Sequence, residues 1–268
     1  MNLKDLFCFV LKFINLGGWL KYYIKALTKR KLFSVVKKNC ELLGQKKSDV
    51  CYICALGPSL KQVDLSKIDG DTIVVNRFYK IGRNNPTFTP TYYLIIDALF
   101  KNKENRSDFV ECINQYKDKG TIYLLNSVLS YEKELIREEF PNIFFLSCFK
   151  GLFNHKKKLC ISKVMPAFGN VACTAIAVAM SLGYKKIVLL GCDFNSFASA
   201  TRNHCYAEES TARLYRMSYE LFCYSFVADM HDELQRYATE HGIRIVNSTK
   251  GSLIDAYPSE IISDLYKL

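Results

Sequence analysis

Apolar runs that end in a polar residue recur along this sequence, and they constrain its fold more than any other feature. Seven of them are VCYICALG, DTIVVN, TYYLIID, GTIYLLN, NIFFLS, KKIVLLGCDF and IRIVN. A strand reads as an unbroken apolar run when both of its faces are buried, which is typical of parallel strands covered by helices. Stretches with helical spacing lie between several runs, including residues 107–120, 170–182 and 215–241. The pattern predicts an α/β fold: a single domain with a mostly parallel sheet and helices on both faces.

Residues 1–48 are predicted to form a basic helical segment that precedes a domain at 49–268. Residues 1–50 carry eleven basic and three acidic side chains, so eight (eleven minus three) of the chain's +11 net charges lie there. Their mixture with aromatic and aliphatic residues is typical of an amphipathic segment on an anionic membrane surface. A nucleic-acid-binding protein more often carries such charge on its folded domain, so no nucleic-acid partner is expected.

The basic segment is expected to lie on a membrane rather than cross it. Lys12 and Gly17-Gly18 interrupt its apolar run, whereas a spanning helix needs about 20 mostly apolar residues. The alternative is a helical hairpin that packs on the domain. Most of the eleven cysteines sit inside apolar runs, as free thiols do, and no cleavable signal peptide is evident. We therefore expect a cytoplasmic protein, peripheral on the inner face of the bacterial cell membrane.

A metal site is not predicted from the cysteines. Cys51 and Cys54 form the one CxxC pair, and they lie in a predicted strand. Residues three apart in a strand face opposite sides of the sheet, and a zinc site would need a second pair. We therefore interpret both residues as core thiols.

The ends of the predicted strands collect polar residues that could contact a ligand. In an open parallel sheet, ligands bind beyond the carboxyl ends of the strands. The first strand leads into Gly57-Pro58-Ser59, where a glycine lets the backbone approach a phosphate and a serine can donate a hydroxyl or cap the next helix. The same motif also fits a plain strand-to-helix turn. The other strands are followed by Asn76, Asp97, Asn126, Asp193 with Gly191 and Asn195 beside it, and Asn247.

Together these polar residues predict a ring of hydrogen-bonding groups suited to a base, a ribose or a sugar. Each residue alone could be a turn residue, and Asp193 could equally cap the turn that follows GCDF. The ring is not a Walker A loop, because no GK[ST] occurs. Nor is it a dinucleotide site, because GxGxxG is absent.

Residues 50–258 contain, in order, the blocks LGPSL, VVNRFYK, GNVACTAIAVAMSLGYKKIVLLGCDF and NSTKGSLIDAYP. These blocks resemble bacterial sialyltransferases of the Campylobacter type, glycosyltransferase family 42. The resemblance implies a variant nucleotide-binding, GT-A-like domain that uses CMP-activated sialic acid and needs neither a metal nor another cofactor. A wider group, which includes archaeal pterin diphosphokinase-like proteins, shares the GPSL turn.

The resemblance also implies roles for individual residues. Gly57 and Ser59 would lie near the donor phosphate, and Asn76 would hydrogen-bond the nucleotide or its phosphate. Asp97 would stand where the family has an asparagine. A helix N-terminus that faces the nucleotide would be formed by Gly169, Asn170 and Val171.

His204 is the predicted catalytic base. The reaction needs a group with a pKa near neutral to take the proton of the acceptor hydroxyl, and histidine suits this task. In the family that the chain resembles, the base is a histidine in a loop after the GxDF strand, and His204 is the only histidine in the corresponding loop. The family's tyrosines beyond GxDF are replaced by residues 195–197, and Tyr206 is the nearest substitute. The remaining histidines are expected at the surface, on a solvated helix face or at a helix end: His155, His231 and His241.

The sequence thus predicts transfer of a glycosyl unit, such as sialic acid from a CMP-activated donor, to a hydroxyl of a cell-surface glycan or lipid-linked precursor. The expected partners are the nucleotide-sugar donor, a glycan or glycolipid acceptor, and an anionic membrane surface; a homo-oligomer is also possible. One alternative is a Mg²⁺-dependent, pterin diphosphokinase-like phosphoryl transferase that uses Asp97 and Asp193. The other is a non-catalytic scaffold of polysaccharide assembly.

Overall fold

Strands and helices alternate along the chain. The computed structural model describes Leu20, Ile24, Thr28 and residues 30–97, 100, 102–131, 140, 142–199, 204–207 and 215–267. The strands within these residues are β1 Val50–Cys54, β2 Asp71–Val75, β3 Tyr92–Ile95, β4 Ile122–Asn126, β5 Ile143–Leu146, β6 Cys148–Leu152, β7 Met165–Ala167, β8 Lys186–Leu190 and β9 Arg244–Asn247. The α-helices are α1 Lys31–Ser34, α2 Tyr79–Gly82, α3 Arg106–Asn114, α4 Val171–Leu182 and α5 Met217–Glu240. Short 3-10 helices include Val35–Leu42 after α1 and Pro58–Gln62 after β1.

In the described part of the chain, seven strands form one sheet in the order β5-β4-β3-β2-β1-β8-β9. Every neighbouring pair in this sheet is parallel, so the predicted mostly parallel sheet is confirmed. β1 is an interior strand: its Cys51 lies opposite Asp71 of β2 and Ile187 of β8. The short strands β6 and β7 form a separate pair that the apolar runs do not predict.

Helices cover both faces of the sheet, as predicted. On β1, Cys51 and Ile53 belong to one apolar cluster, and Tyr52 and Cys54 belong to the cluster on the opposite face. Side chains of α4 and α5 complete the first cluster, and side chains of α3 complete the second. Because Cys51 and Cys54 point to opposite faces, they cannot bind one metal ion together, and the ten cysteines of the described residues are free thiols.

α4 starts at the edge of the sheet where the strands end, and its small side chains let it lie close to β1 and β2. Its cap is Asn170, whose Oδ1 accepts a hydrogen bond from the N–H of Cys173 at 2.8 Å. It ends at Gly183, where φ is +88°, a left-handed conformation that glycine adopts without steric cost. Both ends lie where the sequence predicts them.

Residues 31–42 pack on the domain. Val36 and Leu42 are buried, and Asn39 is buried with them. The Nδ2 of Asn39 donates hydrogen bonds to the carbonyl oxygens of Phe145 and Ile161, each at 2.8 Å. The predicted domain boundary after residue 48 is therefore corrected, because these residues fill the core and satisfy backbone groups of the domain.

Residues 1–29 of the basic segment lie outside the described residues, apart from Leu20, Ile24 and Thr28. Its attachment to a membrane stays a prediction. Among the helices that the structure describes, none combines the length and apolar character that crossing a bilayer requires.

Candidate functional site

A cleft of about 250 Å³ opens beyond the carboxyl ends of β1 and β8. From β1, the chain adds β2 to β5 on one side of the sheet and β8 and β9 on the other. β1 and β8 therefore flank the point at which the strand order reverses, where open α/β sheets bind their ligands. The cleft is lined by residues 55–58 after β1, 75–76 at the end of β2, 170–172 at the start of α4, 191–196 after β8, and His204, Tyr224, His231 and Ile254.

Most of the residues predicted from the sequence meet in this cleft. Those that line it are Gly57, Pro58, Asn76, Asn170, Val171, Gly191, Asp193, Asn195 and His204. Asp97 and Gly169 line an adjoining cavity, which shares Asn76, Asn170 and Val171 with the cleft. Ser59 and Tyr206 are not lining residues of either space.

Two polar residues at strand ends have structural roles instead. The Nδ2 of Asn126 donates to the carbonyl oxygen of Ile96 at 2.9 Å, and its Oδ1 accepts from the N–H of Val128. Asn247 is buried, and its Nδ2 donates to the hydroxyl of Ser252 at 2.8 Å. The predicted ring of ligand-binding groups is therefore smaller than expected, because these two side chains satisfy nearby loops.

Ser59 and Asp193 join the turn after β1 to the turn after β8. The N–H of Ser59 donates to Oδ1 of Asp193 at 3.1 Å, and its hydroxyl donates to Oδ2 at 2.7 Å. Burial raises the pKa of the Asp193 carboxyl, and both hydrogen bonds from Ser59 oppose that rise. The hydroxyl of Ser59 thus donates to Asp193, and its position near a donor phosphate stays a prediction. Asp193 in turn caps the turn after β1 with its carboxylate.

Position 57 requires glycine because of this link. Its backbone angles do not require glycine, since a φ of −68° suits any residue. A Cβ at this position would lie 1.9 Å from Oδ2 of Asp193 and 2.6 Å from the carbonyl oxygen of Gly191. The turn after β1 can therefore approach the turn after β8 only because residue 57 has no side chain. This close approach shapes the floor of the cleft.

Asn76 carries two marks of a ligand-binding residue. Its φ is +43°, a left-handed conformation that is uncommon for residues other than glycine. Its backbone is held there by the hydroxyl of Tyr93, which donates to the Asn76 carbonyl oxygen at 2.7 Å. Its side-chain Oδ1 is buried and has no hydrogen-bond partner among the described residues. Strained backbone and unsatisfied buried polar atoms both concentrate at functional sites.

A second residue with positive φ lines the same cleft. Phe194, directly after Asp193, has a φ of +57°. Its ring packs against Tyr224 and lies edge-on to His231, with centroids 4.6 and 5.7 Å apart. The sequence gives no signal for this conformation, and Phe194 was not predicted as a site residue.

The N-terminus of α4 faces the cleft. Asn170 satisfies the N–H of Cys173, while Val171 and Ala172 line the cleft at the first turn, whose N–H groups have no partner within a helix. Such a helix end favours an anion. Gly169 has a packing role beside it, because a Cβ there would lie 2.8 Å from Cγ2 of Val227 and 3.2 Å from the ring of Phe226.

His204 lies at the cleft and stacks on Tyr206. The two rings are parallel within 5°, with centroids 5.1 Å apart, and Nζ of Lys80 lies 5.1 Å from the centroid of Tyr206. The N–H of Cys205 donates to the carbonyl oxygen of Leu56 at 2.9 Å, which fastens this short stretch to the turn after β1. Tyr206 thus positions the imidazole of His204, and its role as the substitute for the family's tyrosines stays a prediction.

His231 is the main site residue that the sequence interpretation missed. It was expected on a solvated helix face beside Asp229 and Asp232, but its side chain is 1% exposed and lines the cleft. Its Nδ1 lies 2.9 Å from the hydroxyl of Tyr257. The apolar residues of α5 at spacings of three and four, Val227, Met230, Leu234 and Ala238, mark the buried face on which His231 lies. Of the other histidines, His155 is half-buried against Glu233, and His241 caps the end of α5 as expected.

We expect His231 to make the protein sensitive to acid. Burial lowers the pKa of its imidazole from 6.5 to about 4, so the folded protein holds it neutral. In the unfolded chain the same group binds a proton near pH 6.5, so protonation favours unfolding, and stability is lost as the pH falls from 6.5 towards 4. The full effect is about 3 kcal/mol. Thermal unfolding of the wild type and His231→Gln between pH 7 and pH 4 measures it: the wild type should lose more stability, and parallel curves would contradict this assignment.

The fold and the cleft define an open, parallel α/β protein with a ligand site at its switch point. No protein-family model matches the sequence, and no curated protein matches it.

Among solved structures, the chain is similar to the sialyltransferase CstII from Campylobacter jejuni in complex with the substrate analogue CMP-3FNeuAc, with 16% identity and a TM-score of 0.49 over 84% of this chain and 89% of that one. It is also similar to the monofunctional α-2,3-sialyltransferase Cst-I from Campylobacter jejuni, with 13% identity and a TM-score of 0.49 over 84% and 85% of the two chains. A third is the sialyltransferase CST-II in complex with a trisaccharide acceptor and CMP, with 14% identity and a TM-score of 0.45 over 82% and 88%. At these identities the likeness is one of fold.

Proposed function

We propose that this protein is a glycosyltransferase that moves a sugar from a nucleotide-activated donor to a hydroxyl group of a glycan or lipid-linked precursor. The donor is CMP-linked sialic acid or a related sugar, as the sequence blocks imply. One observation carries the proposal. The cleft brings together a helix N-terminus suited to a phosphate, an unpartnered amide oxygen on a strained asparagine, and a histidine.

Each of these groups has a task in a direct displacement. The first turn of α4 binds the donor phosphate through its N–H groups. Asn76 hydrogen-bonds the nucleotide or the sugar with the amide that the protein leaves unsatisfied. His204 takes the proton of the acceptor hydroxyl while the acceptor oxygen bonds to the anomeric carbon. The bond from that carbon to the phosphate oxygen breaks, and the nucleotide leaves with the electron pair, stabilised by the helix end.

We place this reaction at the inner face of the bacterial cell membrane, in polysaccharide or lipooligosaccharide biosynthesis. The basic residues in the first fifth of the chain support attachment to anionic lipid. The donor would then come from the cytoplasm, and the acceptor would be presented at the membrane. No cofactor and no metal ion is needed in this proposal.

A Mg²⁺-dependent phosphoryl transfer is less well supported. It would need Asp97 and Asp193 as joint ligands of the ion. Both carboxylate oxygens of Asp193 are bound by Ser59, whereas Asp97 lines the adjoining cavity. Mg²⁺ is usually held by one or two carboxylates together with substrate phosphates, and Asp193 is already engaged by Ser59. A scaffold without chemistry would be favoured by a blocked cleft, but the cleft beside Gly57, Asn76 and Asn170 is open.

Thermal shift with nucleotides tests the proposal. CMP is expected to raise the melting temperature without Mg²⁺, because a ligand that binds only the native state adds about 2.7 kcal/mol at 100 times its Kd. Asn76→Ala should lose most of this shift, because it removes the amide that faces the ligand. The panel is CMP, CDP, UDP, GDP and ATP, each with and without Mg²⁺.

Asn126→Ala is the matched control, since it removes another asparagine at a strand end whose amide serves the protein itself. It should lower the melting temperature of the free protein and leave the shift with CMP unchanged. A shift only with ATP and Mg²⁺ would point to phosphoryl transfer instead. No shift with any nucleotide would point to the scaffold.

A further inference from the structure

A second cavity lies beside the cleft, and no part of the proposed reaction uses it. It measures about 350 Å³ and is lined by Ser196, Tyr215, Tyr219, Glu220, Cys223 and Tyr224; we call it the tyrosine cavity. Tyr215 and Tyr219 are 57% and 53% exposed, and their ring centroids are 5.1 Å apart. Two large aromatic rings thus lie side by side on a concave surface open to solvent.

The tyrosine cavity adjoins the cleft directly. Ser196 and Tyr224 line both spaces, and their hydroxyl groups are hydrogen-bonded to each other. The ring of Tyr224 is held by Phe194 and Phe197, with centroids 4.6 and 4.9 Å away. Ser196 and Tyr224 therefore form the border between the two spaces, and a molecule in either space contacts this pair of side chains.

The chemistry of the tyrosine cavity fits a neutral sugar ring. A pyranose has a face of C–H groups, which packs on the electron-rich face of a tyrosine ring, and a rim of hydroxyl groups. Glu220 supplies a carboxylate that accepts hydrogen bonds from such hydroxyls, and the tyrosine hydroxyls can donate or accept. The same carboxylate repels a phosphate or another anion, which distinguishes this cavity from the helix end in the cleft.

We propose that the tyrosine cavity binds the acceptor glycan, with a neutral pyranose ring packed on Tyr215 and Tyr219. The inference rests on the proposed glycosyl transfer and adds to it the position and the sugar class of the acceptor. A sugar bound there has its hydroxyl groups beside Ser196 and Tyr224, at the border with the donor site. The acceptor is thus selected by rings at the start of α5, and the donor by residues at the strand ends.

Saturation-transfer NMR on the full chain tests this proposal with donor and acceptor probes in one sample. The probes are CMP and the methyl β-glycosides of galactose, glucose and N-acetylglucosamine, which carry no lipid chain. At least one glycoside should receive saturation at its ring C–H protons. Tyr219→Ala should raise the apparent Kd of that glycoside by about threefold to tenfold, and Tyr219→Phe should restore binding because it keeps the ring.

Phe222→Ala is the matched control, because Phe222 is on the same helix and 52% exposed but does not line the tyrosine cavity. It should leave glycoside binding unchanged. The CMP signals should be equal in all variants, which shows that each is folded. If no glycoside binds, or if Phe222→Ala weakens binding as much as Tyr219→Ala, the acceptor site is not here. If CMP gives no saturation-transfer signal with the wild type, the proposed donor is contradicted instead, whether or not a glycoside binds.

Discussion

His204→Ala is expected to lower kcat for sugar transfer by about 10²- to 10⁴-fold and to leave the affinity for CMP unchanged. General bases contribute factors of this size, because the proton of the attacking hydroxyl otherwise has no acceptor. The imidazole is already oriented, since it stacks on Tyr206 and its stretch of chain is fastened to Leu56. The measurement is CMP release from CMP-N-acetylneuraminic acid in the presence of the methyl glycosides, together with calorimetric titration of CMP.

Two variants of Tyr206 show whether catalysis by His204 depends on the stacking of the two rings. Tyr206→Phe keeps the aromatic ring and should retain most of the activity, whereas Tyr206→Ala removes the ring on which the imidazole stacks and should lower kcat more than it changes KM for the donor. His241→Ala removes a histidine at the far end of α5 and should have no effect on kcat. If His204→Ala keeps more than half of the wild-type kcat, another group is the base.

Gly57→Ala is expected to abolish CMP binding and to lower the melting temperature. The new Cβ would lie 1.9 Å from Oδ2 of Asp193, so the carboxylate must move and its two hydrogen bonds to Ser59 are lost. Overpacking of this kind costs about 1–3 kcal/mol, which corresponds to a decrease of roughly 2–12 °C for a chain of this size. Differential scanning fluorimetry with and without CMP measures both effects at once.

Gly44→Ala separates the two effects. Gly44 has a φ of +84°, and nothing lies within 4 Å of a Cβ at this position. Alanine there has only the backbone cost of a left-handed residue, about 1–2 kcal/mol, far from the cleft. It should lower the melting temperature and leave the shift with CMP intact. If Gly57→Ala still binds CMP like the wild type, the turn after β1 does not shape the ligand site.

The sheet could be predicted from the sequence because its strands are buried on both faces. Each reads as an apolar run that stops at a polar residue, and that residue marks the edge of the sheet where ligands bind. α4 could be predicted equally well, since Asn170 and Gly183 are strong signals for the start and the end of a helix. The location of the cleft therefore follows from strand ends alone, before any side-chain contact is known.

The roles of individual side chains in the cleft could not be predicted in the same way. The link between Ser59 and Asp193 joins residues 134 positions apart, and no local pattern reports such a contact. His231 was misplaced because its acidic neighbours suggested water, although the apolar spacing of α5 indicates the buried face. The basic residues around Asn39 likewise obscured the packing of residues 31–42, because net charge describes a whole segment while burial is decided residue by residue.

The link between Ser59 and Asp193 also determines when the site can form during synthesis, because both residues must have been translated before it can exist. β1 leaves the ribosome long before β8, and at usual elongation rates the interval for 134 residues is on the order of 10 s. Throughout that interval one edge of β1 lacks the neighbour that it has in the finished sheet. An unpaired apolar strand edge is the surface through which nascent chains aggregate. Because the cleft is lined by residues after both β1 and β8, a bound nucleotide cannot stabilise the nascent chain until translation has passed residue 193.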